Sequence, residues 1–272
     1  MMGIVLFKTA LAVYLVCAVV YGASLWVRRV LTARFATGLM VAALVIHTSS
    51  FASRWLTAGM SPAVGIHDAL SFFAWVMAAA YLTLQLKTKT RVLGAFVSPV
   101  ICLIMVVASV ELAGTVGAPA MLQGSLVTLH VMLSVTGEAL FALASCAGLM
   151  YLIQDSLIKR KKAGSLIRLF PSLHDLDRIN NLCLSWGFPL LTLGVLAGSL
   201  WARIVWGSHW QWDPKQVWTL LAWFLYAFLL HQRLVMGWRG RKAARWSLMV
   251  FAVLVVLLIF GKLFFQTVHN FV

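Results

Sequence analysis

Between two long apolar segments the chain reads Trp206-Gly207-Ser208-His209-Trp210-Gln211-Trp212-Asp213-Pro214-Lys215-Gln216-Val217-Trp218, four tryptophans in thirteen residues. Each indole offers a broad polarisable face and a single N–H donor, so it settles where one side is apolar and the other wet. Trp206, Trp210, Trp212 and Trp218 are expected to form a flat shelf for a wide amphipathic ligand, with Lys215, Arg203 and the indole N–H groups as candidates for its anionic edge. Asp213-Pro214 shapes the end of the segment. A residue before proline is driven out of the helical region and proline suits a first helical turn, so Asp213 is expected to cap a following helix.

Imidazole is the second chemistry on offer, and what each histidine can do depends on its depth. Of 272 residues, 62% are hydrophobic and only 11% charged, which lies outside the range of soluble domains. The expected fold is an all-α polytopic integral membrane protein with about eight transmembrane helices, at roughly 4–27, 35–53, 67–86, 92–110, 125–153, 180–203, 216–235 and 246–268. Seventeen of the 22 Lys and Arg residues fall after the first, third, fifth and seventh spans. That alternation puts both termini and the tryptophan loop on the extracytoplasmic side. The net charge of +15 is therefore expected to set topology in a lipid bilayer, with no nucleic-acid partner. The first stretch lacks a basic n-region and a clear small-residue cleavage site, which predicts a retained helix. The stretch 154–178 reads as a basic cytoplasmic loop too short for a core of its own.

On this topology His130, at the start of the fifth helix, and His269, at the end of the eighth, share the outer side with the tryptophan loop. His209 lies within that loop and is open between ligand and loop-shaping residue. His231 lies about 20 Å down the seventh helix, with Phe224, Ala227 and Phe228 on its face and room for a flat apolar ring. Imidazole at such depth is costly unless paired or metal-bound. His47 carries the same cost and is expected to hydrogen-bond a neighbouring helix, whereas His67 and His174 are expected to be solvated. Glu138 shares a stripe with Ser134 and His130 and is open between a bonded, protonated carboxyl and a functional one. Indoles and imidazoles on one surface suit haem, which is apolar over its ring and anionic at its propionates. Cys17, Cys102, Cys146 and Cys183 fall inside spans without a C-x-x-C pair and read as buried structural thiols. Phosphate-cradling glycine motifs, zinc-type spacings and nucleophile elbows are missing from the sequence.

The segment W-G-x-x-W-x-W-D-P-K, followed by Trp218, Trp223 and Leu230-His231-Gln232-Arg233, closely resembles the tryptophan-rich WWD signature of the cytochrome c assembly proteins called CcsA or ResC. Leu176-Asp177, the run Gly187-Phe188-Pro189-Leu190-Leu191-Thr192, Gly194, His130-Val131 and His269 are similar to that family as well. The likeness is strong over 125–272 and looser before it. It suggests an N-terminal four-helix region (1–124) and a C-terminal four-helix haem-handling region (125–272) with an external loop at about 204–218. The resemblance implies a cytoplasmic (inner) membrane protein that takes haem b to the outer face. There it would present haem for thioether attachment to a CXXCH apocytochrome c, as a component of a holocytochrome c synthase (haem lyase). It further implies that His130 and His269 are axial ligands of the external haem. His231 would be one ligand of an intramembrane haem whose second histidine comes from a CcsB/ResB partner. Gln216 departs from the family's usual Glu, keeping shape and hydrogen bonding but giving up a charge.

Two neighbouring readings are a HemX-like membrane regulator of haem biosynthesis, which would not physically need the full tryptophan signature, and a CcmC-type protein delivering haem to a chaperone, whose motif lacks Asp-Pro-Lys. An ion-coupled transporter would need polar residues along several helices, and the spans are too apolar for that.

Overall fold

The computed structural model describes residues 2–27, 30–58, 65–88, 90–110, 124–161 and 170–264. Its described residues form eight α-helices: α1 (Met2–Val27), α2 (Val30–Ala58), α3 (Ile66–Lys87), α4 (Gly94–Val110), α5 (Ser125–Lys159), α6 (Leu173–Trp206), α7 (Pro214–Leu234) and α8 (Gly240–Phe264), with a 3₁₀ turn at Arg91–Leu93 leading into α4. Helices are the economical solution for an apolar chain in lipid, because every backbone hydrogen bond is made within the segment. Six of them, α1 to α6, are long and apolar enough to cross a membrane by length and composition. The chain is a polytopic membrane protein.

Hydrogen bonds between helix ends show that consecutive helices run up and down. At one end Ser50 near the close of α2 donates to the Gly3 carbonyl of α1 (2.8 Å), and His67 at the start of α3 bonds the Ala108 carbonyl near the close of α4 (2.7 Å). At the other end Tyr21 of α1 lies 3.0 Å from Thr37 of α2, and Gln85 of α3 donates to Thr37 (3.0 Å). Asp155 near the close of α5 pairs with Arg241 at the start of α8 (3.4 Å). The tryptophan loop, between α6 and α7, lies at the end that holds the start of α5.

Two expectations from the sequence need correction. Much of the supposed loop 154–178 is helix, since α5 runs to Lys159 and α6 starts at Leu173. With 35 residues α5 is about 52 Å long, against about 30 Å of hydrocarbon, so it continues past the apolar span into polar sequence. His67 is not solvated. Its exposure is 2%, beside the buried Asp68 that pairs with Arg54, and its ring meets Phe7 edge-on at 4.7 Å. His47 follows expectation, with Nε2 2.8 Å from Ser71 Oγ of α3, and His174 is exposed. The four cysteines are free and buried.

α5 lies against α6 through glycines that admit no side chain. A Cβ on Gly137 would stand 2.8 Å from the Gly187 carbonyl and 2.9 Å from the Leu191 nitrogen, and one on Gly187 would stand 2.7 Å from the Phe141 ring. Without a hydrophobic drive between helices in lipid, such close backbone approach supplies the packing energy. Gly137→Val should therefore force α5 and α6 apart and destabilise the bundle by about 1–3 kcal/mol. Gly22→Ala, where a Cβ meets nothing within 4 Å, should not. Thermal unfolding of the two proteins in detergent checks the contrast; equal midpoints would show that the interface tolerates side chains.

Candidate functional site

The site at the loop end is built on His130, in the second turn of α5. Its Nδ1 lies 2.7 Å from the Gly194 carbonyl of α6. A carbonyl only accepts, so Nδ1 carries the proton and Nε2 keeps its lone pair, the tautomer and orientation a metal-binding imidazole needs. The ring has its place because α6 lacks side chains there. A Cβ on Gly198 would fall 2.5 Å from Nδ1 and 2.6 Å from Cε1, and one on Gly194 would collide with Ser134. Gly194 and Gly198, one turn apart, form a groove that seats the histidine. One imidazole nitrogen is thus oriented as an axial ligand to iron would need, and the histidine's seat depends on the pairing of α5 with α6.

The four tryptophans do not form a single flat shelf. Trp206 stacks edge-to-face on Trp201 at 5.1 Å, in a small cluster with Val127, Leu126 and Val131 of α5, next to His130. Trp210 and Trp212 make a second edge-to-face pair at 5.7 Å. Trp218 faces a cleft between α5, α6, α7 and α8. Trp212 is 79% exposed and has φ of 53°, a left-handed conformation that reverses the chain into α7. Trp210 Nε1 is buried with no hydrogen-bond partner, a donor left for a ligand acceptor. Trp201, which the sequence reading passed over, belongs to this group; its place on one face of α6 beside Trp206 is legible only once α6 is known to extend that far.

The loop is tied at three points. His209 lies 3.2 Å from the Ser199 carbonyl and 3.4 Å from Arg203 Nη1, so it fastens the loop to α6 and uses both ring nitrogens in doing so. Asp213 Oδ1 accepts from the Lys215 amide (2.9 Å), capping α7 as its place before Pro214 predicts. Gln216 Oε1 accepts from the Gln211 amide (2.8 Å), a bond that needs an acceptor and no charge. Lys215 lines the same cleft as Glu138, with Leu191, Trp218, Leu254 and Leu257 as apolar walls. Glu138 and Lys215 therefore bring a carboxyl and an amine to one narrow space below the loop.

His231 sits elsewhere. It is exposed near the close of α7, at the opposite end of the bundle from His130, with Phe224 and Phe228 exposed on its face. Its neighbour Arg233 turns inward and is saturated: Nε donates to Asn181 Oδ1 (2.9 Å), Nη1 to Asn180 Oδ1 (2.9 Å) and Nη2 to Asp177 Oδ1 (3.0 Å). His269 lies outside the described residues. His130 and His231 are not brought together.

A polytopic helical membrane protein with an oriented imidazole beside an indole-rich loop is the class that fold and site define. Residues 63–269 match the family model described as Cytochrome C assembly protein, so the chain belongs to that family. It is similar to cytochrome c biogenesis protein CcsA of Trieres chinensis, 32% identical over 223 residues covering 71% of this chain and 72% of the relative. The CcsA protein of Microcystis aeruginosa is 29% identical over 283 residues, 86% of each chain, and that of Heterosigma akashiwo (strain NIES-293 / 8280G21-1) 31% identical over 227, 70% of each. The chain is a CcsA-like protein of cytochrome c biogenesis.

Because Gln216 works as an acceptor, Gln216→Leu should free the Gln211 amide at about 1 kcal/mol, raising its hydrogen exchange about fivefold, while Gln216→Glu should keep protection. Unchanged exchange in the leucine protein would remove Gln216 from the loop's support.

Proposed function

We propose that this chain is the haem-delivering component of a holocytochrome c synthase. It binds haem b in the membrane, brings it to the extracytoplasmic face and presents it for thioether attachment to the CXXCH segment of an apocytochrome c, working with a CcsB/ResB-like membrane partner. Its C-terminal half, 125–272, carries this work, with both termini and the tryptophan loop outside a cytoplasmic membrane. Family membership supports the reading, and so does the alternation of basic residues.

The observation that carries it is the seat of His130. The Gly194 carbonyl fixes the tautomer, the Gly194–Gly198 groove fixes the ring, and Nε2 is left as an iron ligand, with His269 as its proposed partner. Porphyrin iron held by two imidazoles has no open position for oxygen, which protects the reduced state. Around it Trp206 and Trp210 supply ring faces, and the unpartnered Trp210 N–H supplies a donor for a propionate. Trp212 and Trp218 extend that wall, and Asp213 holds α7 where Trp218 and Lys215 face the cleft. Thioether formation adds a cysteine S–H across a vinyl C=C, breaking the S–H bond and the vinyl π bond and forming one C–S and one C–H bond without net oxidation. The substrate's own histidine must then displace a ligand, so the protein's ligation has to be releasable.

His231 is the proposed ligand of an intramembrane haem. Its exposure on the outer face of α7 supports a site completed by a second polypeptide, because the imidazole is turned away from the other described helices.

His130→Gly and His269→Gly should each abolish holocytochrome c formation, scored by haem staining of membranes from cells expressing the chain, its partner and a c-type cytochrome. Added imidazole should restore it, because a free ligand occupies the vacated position. Gly198→Ala should lower the yield at least tenfold by displacing the ring while leaving the ligand present. Normal maturation in both histidine variants would refute the assignment.

A further inference from the structure

We propose that Glu138 is the proton partner of the loop-side haem: its carboxylate takes up a proton when the iron held at His130 is reduced and gives it up when the iron is oxidised. The proposal rests on the haem-handling reading and assigns a residue that sets the redox state of that same site.

Glu138 lies on the stripe of α5 that carries His130 and Ser134, two turns beyond the histidine and about 12 Å further along the helix. It lines the narrow cleft that α5, α6, α7 and α8 form below the tryptophan loop. Two contacts of α7 shape that cleft. The Tyr226 ring stacks on Phe141 of α5 at 3.5 Å, and Trp223 Nε1 donates to Thr192 Oγ1 of α6 (2.9 Å). With α7 held so, Lys215, Trp218 and Thr219 share the cleft with Glu138, and Leu191, Leu254 and Leu257 are its apolar walls.

The carboxyl is committed to no partner. Among the described residues Glu138 makes no side-chain hydrogen bond, and neither it nor Lys215 belongs to any of the ion pairs. Two hydroxyls beside it are also uncommitted: Tyr226 Oη and Ser134 Oγ are buried without a hydrogen-bond partner. A carboxylate left unpaired among apolar walls is costly, whereas a protonated carboxyl is not. An amine across the same space pulls the other way whenever it carries its proton. The balance between the two forms of Glu138 is therefore open to a further charge nearby.

The redox state of the ligand at His130 is such a charge. One electron added there removes one unit of positive charge, and one proton bound at Glu138 restores it. Over about 12 Å, at an effective dielectric of about 20, a unit charge changes proton affinity about tenfold. The coupling is reciprocal, so a protonated Glu138 favours the reduced state by the same factor. The other titratable groups around Glu138 are His130 on α5 and Lys215 and Tyr226 on α7, with Asp213 beyond Lys215 as the cap of α7. α6 presents Leu191 to the cleft, and α8 presents Leu254 and Leu257.

The test is a redox titration of bound haem, poised with dithionite and ferricyanide, on the full chain with its membrane partner in nanodiscs. The parent protein carries His231→Gly, so that the haem read is the one that His130→Gly removes. Its midpoint potential should fall by up to about 59 mV, the one-electron equivalent of tenfold, as the pH is raised across the neutral range. Glu138→Gln should flatten the curve at its acid-side value, since a carboxamide stays neutral, and Glu138→Asp should keep the slope. The redox-difference infrared spectrum should carry a protonated-carboxyl band that the glutamine protein lacks. An equal slope in the glutamine protein, or a flat curve in the parent, would overturn the proposal while leaving the haem reading intact. Failure of every form to bind haem would reject the haem-handling reading and the proposal with it.

Discussion

The contact between α5 and α6 is the constraint on which the rest depends. Lipid gives two helices no hydrophobic reason to associate, so the interface relies on backbone proximity, and the chain supplies it with Gly137, Gly187, Gly194 and Gly198. The same closeness has a chemical product. Only where α6 lacks Cβ atoms can an imidazole from α5 lie flat enough against it to reach the Gly194 carbonyl, and only that bond fixes which ring nitrogen faces away. Packing and ligand orientation are thus one feature seen at two scales.

At the other end the bundle is held by polar groups. Arg233, Asp177, Asn180 and Asn181 join α6 to α7, Asp177 adds the start of α8, and Asn180 donates to the Ala144 carbonyl of α5 (2.7 Å) and to Ser247 of α8 (2.9 Å). A buried guanidinium is tolerable because its donors are met by two amides and a carboxylate. This network fixes the rotation of α7 about its own axis, and that rotation decides where His231 points. The aromatic end of the bundle is therefore aimed by glycine, and the basic end by hydrogen bonding.

Much of this was legible in the sequence, for physical reasons that also mark where legibility stops. Apolar length gave the helix count, and Asp213-Pro214 gave the cap of α7. The helix ends were misjudged because hydropathy reports where lipid is and not where hydrogen bonding stops. The start of α6 carried its own signal: Ser172 accepts from the Asp175 amide (3.1 Å), an S-x-x-D cap that lies outside the apolar window. His67 looked solvated from its position at a helix start; its burial depends on α1 and α4 closing over it. The flat shelf was read from four like residues in one segment. The fold sends Trp206 toward Trp201, pairs Trp210 with Trp212 and gives Trp218 to a cleft with Glu138 and Lys215, because left-handed turns at Gly207, after Trp206, and at Trp212, before Trp218, separate their directions.

The rotation of α7 bears on how a ligand would move through this protein. Ala222, Tyr226, Leu229 and Arg233 face the bundle and are buried, whereas Leu221, Phe224, Phe228 and His231 face outward and are exposed. Trp218, four residues before Ala222, lies on the inward side with the cleft. A ring held at His231 and a ring held under the tryptophan loop would thus lie on opposite sides of one helix. Transfer on the proposed reading has to go around α7, and the outward face, apolar from Leu221 to Phe228, needs a covering surface to keep a charged-edge ligand from lipid. The outward turn of His231, away from the inward face that carries Trp218, is the geometric reason the proposed path takes in a second polypeptide.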